Sequence, residues 1–60
     1  MYSIFEVNLD RPGAKARPIR ANVPELEAQT YLILTRRQRA RVRERERRWP
    51  PVIHFLREEK

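Results

Sequence analysis

Thr30–Arg48, TYLILTRRQRARVRERERR, decides the fold, because its apolar start and its arginine-rich remainder obey different rules. Thr30–Thr35 reads two ways. As a strand it is a short, nearly continuous apolar run with Tyr, Ile and Thr, bounded by polar residues. As a helix it is the middle of a long element that starts near Asn22, places Pro24 in its first turn and runs through Glu25-Leu26-Glu27-Ala28-Gln29. Periodicity does not separate the two. The strand is preferred because Tyr31, Ile33 and Thr35 favour extended backbone.

Arg36–Arg48 holds eight Arg and two Glu, so this window alone carries +6, the whole net charge of the chain. It is expected to be a helix: Arg, Gln, Ala and Glu favour that state, Gly and Pro are absent, and Pro50-Pro51 gives a hard stop after Trp49. An extended reading would stack Arg39, Arg41, Arg43, Arg45 and Arg47 on one face, which costs energy unless an anion lies against it. The helix has its own strain. Arg37/Arg41/Arg45 and Arg39/Arg43/Arg47 are like-charge neighbours, only Glu44 to Arg48 is a well-oriented pair, and the apolar stripe is no more than Ala40, Val42 and Trp49. Such a helix is firm only when packed on a sheet or a partner.

Outward from this stretch, Tyr2–Leu9 (YSIFEVNL) alternates Phe5, Val7 and Leu9 against Tyr2, Ile4 and Glu6 and reads as a strand. Asp10-Arg11-Pro12-Gly13 is turn chemistry, and the segment 10–24, with Pro12, Pro18 and Pro24 and no apolar period, reads as a long basic loop of binding type around Ala16-Arg17-Pro18-Ile19-Arg20. Val52–Leu56 (VIHFL) closes the chain as a strand before the charged tail Arg57-Glu58-Glu59-Lys60. The expected architecture is α+β, one domain over 1–60, in the order β-β-α-β, with one helix on a three-stranded sheet. The connection from TYLIL through the helix to VIHFL is long enough for a parallel crossover.

Composition narrows the function. Sixty residues exclude a second domain, and a chain this short buries only about 60% of the surface it exposes when unfolded. Without Cys there is neither a disulfide nor a thiolate metal site, and His54 alone cannot hold zinc, so the missing stabilisation points to a partner. Catalysis is not expected, since there is no glycine-rich phosphate loop, no second His and no Ser beyond Ser3. No cofactor or metal is expected. No run approaches the roughly 18 apolar residues of a membrane span, and the N-terminus lacks a basic leader, which suggests a soluble intracellular protein.

What remains is the arginine surface. Guanidinium forks pair bidentately with phosphates and with carboxylates, so RNA, DNA and acidic proteins are all candidate partners. The chain has no Lys between Lys15 and Lys60 and no RRM, KH or zinc-finger signature, and its aromatics Tyr2, Phe5, Tyr31 and Phe55 are assigned first to the core. Trp49 is read as a plug at the helix end, with an exposed hot spot as the other option.

The order of these elements carries a resemblance. With FEV in the first strand, PIR (Pro18–Arg20) in the loop, TYLIL as a second strand, an arginine-bearing helix and a last strand after a tight pair of residues, the chain resembles the CpcD-like linker domain of phycobilisomes. The pattern lies on Gln29–Leu56 without a gap. It departs where the family has paired glycines, here Pro50-Pro51, and where family helices carry apolar residues, here Arg39, Arg43 and Glu46. The resemblance implies a non-enzymatic protein, basic and without its own chromophore, that inserts into the central opening of an acidic phycobiliprotein trimer or hexamer of allophycocyanin or phycocyanin type. It would act at the cytoplasmic face of the photosynthetic membrane, capping or organising a rod or core and tuning energy transfer. The binding residues it implies are Arg17, Arg20, Arg36, Arg37, Arg39, Arg41, Arg43 and Arg45, with Tyr2 and Phe5. The alternatives are a small nucleic-acid-binding protein, for instance on a ribosome, and an interaction peptide whose residues 22–48 form one long helix.

Overall fold

A computed structural model describes residues 1–59. The chain forms strand β1 (Tyr2–Asn8), strand β2 (Arg17–Val23), helix α1 (Glu25–Glu46) and strand β3 (Val52–Glu58), an α+β fold in the order β-β-α-β. The sheet order is β2-β1-β3, and β1 is antiparallel to both neighbours. The outer strands therefore run the same way, and α1 carries the chain from one to the other across the intervening strand. A crossover exists, but it leaves from β2 rather than from residues 30–35.

Two expectations are corrected by this arrangement. Residues 10–24 are not one loop: Arg17–Val23 is a strand, with Pro18 opposite Phe5. Proline survives there because β2 lies at the edge of the sheet, where a missing ladder donor costs least. The pairing with β1 is irregular on either side of Ile4, and Asn22 adopts φ 56°, in the left-handed region that Asn tolerates better than most residues. The true hairpin loop is shorter. Asn8 Oδ1 accepts from the Asp10 N–H (3.0 Å) and Gly13 sits at φ 71°, where a side chain would be strained.

The second correction concerns Thr30–Thr35, which is the middle of α1 and not a strand. Pro24 precedes the helix with extended backbone and accepts the first intrahelical bond, from the Ala28 N–H (2.9 Å). Glu25 and Glu27 lie in the first turn and Arg43 and Arg45 in the last, each complementing the local end of the helix dipole. Thr30 and Thr35 donate their hydroxyls to the carbonyls of Leu26 and Leu32, both at 2.9 Å, so these β-branched residues find helical partners. The helix stops at Arg47, which takes φ 58° and donates its N–H to Arg43 O (2.8 Å).

The core is small. Ile4, Val23 and Ala28 are buried, with Tyr2, Ile19, Tyr31 and Leu56 packed around them. Ala28 brings the helix close to the sheet, directly over Ile4. The inward row then continues as Tyr31, Thr35, Arg39 and Val42, three or four residues apart and all half-buried. Ile33 and Leu34, counted as extended apolar positions, are instead exposed on the helix surface.

Candidate functional site

The exposed side of α1 is the dominant chemical feature. Arg36, Arg37, Arg41, Arg43 and Arg45 are exposed along it, and Arg47 and Arg48 continue the run beyond its end. At 100° per residue Arg37, Arg41 and Arg45 form one ridge, while Arg36 and Arg43 line the opposite flank. Positive charge therefore wraps around the helix rather than marking a single stripe. Among the described residues no ion pair reaches any of these arginines, the expected Glu44–Arg48 pair included, because Arg48 lies past the last helical turn.

Arg39 belongs to a different class. It is half-buried, donates from Nη2 to Pro50 O (3.1 Å), and lies over the Trp49 ring at 5.5 Å from the centroid. It ties the end of the helix to the Pro50-Pro51 turn. Trp49 is 58% exposed, so it is a capped surface aromatic and not the expected core plug.

The loop arginines are placed on β2 and are already paired. Arg17 donates to Glu6 Oε1 (3.1 Å), and Arg20 lies 3.7 Å from Glu27 Oε1. Glu6 also meets His54 Nε2 at 3.1 Å, and the edge of the Tyr31 ring closes over His54. The hydrogen bond from Arg17, joined by that from His54, holds the Glu6 carboxyl below its usual range. This network joins all three strands on the face that α1 covers. Sequence reasoning gave His54 no role because the Glu6–His54 register across β1 and β3 is not visible in either strand alone.

Tyr2 and Phe5 are not brought together. Alternation sends Tyr2, Ile4 and Glu6 toward α1, and Ser3, Phe5 and Val7 to the opposite face. On that open face the Phe5 and Phe55 rings stack at 5.3 Å with 11° between planes, and the Arg57 guanidinium lies over the Phe5 ring, 4.8 Å from its centroid. Phe5 and Phe55, expected in the core, thus stand with Val7 and Ile53 on the open face of the sheet, Phe55 exposed and the other three half-buried. The two-residue period of strand backbone puts Ile53, Phe55 and Arg57 on one side, but the nearly continuous apolar run Val52–Leu56 does not reveal which side is covered.

A cleft of about 230 Å³ at the hairpin end is lined by Glu6, Asn8, Arg11, Ala14, Lys15, Arg17 and Val52. It is smaller than the roughly 300–1,000 Å³ that enclose metabolites. Among the described residues no helix is long and apolar enough to cross a membrane. No protein-family model, curated protein or solved structure matches the chain.

Proposed function

We propose that the chain is a non-enzymatic assembly module that inserts its arginine helix into an acidic cavity of a partner protein. The observation that carries this is the set of exposed arginines wrapped around α1 without carboxylate partners. Like charges this close repel one another, and an isolated helix of this composition is marginal in water. An acidic partner that surrounds the helix relieves both penalties and supplies the stabilisation that a three-residue core lacks. Opposite potentials also guide the encounter and fix orientation.

The linker-like order of the elements supports a specific partner, the acidic central opening of a phycobiliprotein trimer or hexamer. In that reading Arg36, Arg37, Arg41, Arg43 and Arg45 pair with carboxylates, Arg17 and Arg20 exchange their internal partners for those of the ring, and Arg39 keeps the helix end in place. The position is at the cytoplasmic face of the photosynthetic membrane, where such a module biases energy transfer by altering the surroundings of nearby bilins. The second reading, a duplex or folded nucleic acid, is favoured by one observation: arginines on both flanks of a single helix also suit the two walls of a groove.

Binding of the labelled full chain to purified phycocyanin and allophycocyanin rings, and to RNA and DNA duplexes, separates the readings. The linker reading expects saturable binding to a ring that is lost when Arg41, Arg43, Arg45 and Arg47 are all replaced by Gln. Binding to nucleic acid alone, with affinity falling steeply and linearly on a log-log salt plot, overturns it.

A further inference from the structure

The molecule has only two layers, a helix over a sheet, and its thinnest dimension is 12 Å. One face of the sheet is therefore uncovered, and that face is the apolar one: Phe5, Val7, Ile53 and Phe55 stand on it, with Phe55 39% exposed. Its side chains outweigh the buried core of Ile4, Val23 and Ala28. We infer that this face packs against the same face of a second copy of the chain, forming a four-layer α/β/β/α dimer.

Three arguments select a second copy. The first is charge. Among the described residues the ionic side chains placed on the face, Arg57 and Glu59, pair with each other at 2.9 Å, so they leave it locally neutral and self-complementary although the chain carries +6. Hydrogen bonds from Arg57 and then from Ser3 hold the Glu59 carboxyl below its usual range, which keeps that balance at neutral pH. Second, the arginine helices lie on the outer layers of such a dimer. With sheets about 10 Å apart and each helix a further layer away, they stand roughly 30 Å from each other, well beyond a Debye length of about 8 Å. Contact through the helix faces would instead press the two arginine surfaces together.

The third argument is area. Three strands of seven residues offer a face of about 23 by 14 Å, so two such faces present roughly 650 Å² as flat areas and somewhat more with interdigitating side chains, the size of a weak, reversible interface. The aromatic rings on this face are already engaged within the chain: Phe5 and Phe55 stack on each other, and the Arg57 guanidinium lies over Phe5. The dimer stands independently of what the helix binds, and it would present two arginine helices on opposite sides, a bivalent geometry suited to joining partners.

Sedimentation of the purified full chain from about 1 µM to about 1 mM tests this. The expected result is a concentration-dependent shift from 7.3 kDa to twice that mass, with Phe55→Arg weakening the association at least about 30-fold and Leu34→Ser, on the exposed helix surface, leaving it unchanged. Because Phe55→Arg can impair folding, a second variant uses a bis-maleimide cross-linker with a reach of about 10–15 Å, since facing residues on sheets about 10 Å apart lie beyond the span of a disulfide. The chain has no cysteine, so Phe55→Cys is expected to give a covalent dimer and Leu34→Cys a monomer. A wild-type chain that stays monomeric throughout the range overturns the inference, as does a dimer in which Phe55→Cys does not cross-link.

Discussion

Ile4 is the residue on which the fold depends most. It is the largest side chain fully removed from solvent, it pairs with Leu56 across β1 and β3, and Ala28 of α1 lies over it. Replacing Ile4 by Ala costs about 2–5 kcal/mol, a large share of the stability a domain of this size can have. Chemical denaturation of Ile4→Ala is expected to show a chain mostly unfolded in dilute buffer, with Ile4→Val retaining a cooperative transition. Glu6 sets the pH response. Its folded-state carboxyl lies below the ordinary value near 4.5, through the hydrogen bonds from Arg17 and His54. A depressed carboxylate contributes stability that is present above its unfolded value and lost as pH falls through the folded one. Melting temperature is therefore expected to fall on acidification below about pH 4.5, and Glu6→Gln to be flatter across that window.

Among the elements, α1 shows what the sequence could and could not yield. Its arginine-rich half was legible from composition and from the Pro50-Pro51 stop, β1 followed from alternation to within one residue, and β3 followed from its apolar run but extends through Arg57 and Glu58, beyond the expected end at Leu56. TYLIL favours a strand locally, but its context outweighs that preference. Pro24 at the helix start, the Glu25–Gln29 run and inward positions at Ala28, Tyr31 and Thr35 together make a helix whose face fits the sheet, at the cost of exposing Ile33 and Leu34. β2 was missed for the opposite reason: Pro18 and two arginines mask a strand that the edge position permits. In the candidate site the helix arginines were legible individually, but the pairing of Arg17 with Glu6 and the structural role of Arg39 depend on cross-element geometry. Arg47 offers a test at this scale. A residue with a β-carbon at φ 58° is strained where glycine is not, so Arg47→Gly is expected to raise stability by about 1 kcal/mol, measured by urea denaturation. A neutral or destabilising result would mean that the helix does not end at this residue in solution.

For the whole molecule, charge and architecture are divided between two surfaces. The helix side is strongly positive, with Arg36, Arg37, Arg41, Arg43 and Arg45 unpaired among the described residues, while the open sheet face is apolar and locally neutral. Raising the salt concentration is expected to weaken docking through α1 and to leave association through the sheet unchanged or slightly stronger, because only the first depends on long-range attraction. Parallel salt titrations of partner binding and of sedimentation would separate the two contributions. The most direct test of the central claim is an affinity purification of the tagged chain from the cells that express it, in buffer that preserves antenna assemblies, followed by an absorbance spectrum of the eluate. The account predicts a coloured eluate that survives nuclease treatment and that disappears when Arg41, Arg43, Arg45 and Arg47 are replaced by Gln. A colourless eluate dominated by nuclease-sensitive ultraviolet absorbance would contradict it and assign the arginine helix to nucleic acid.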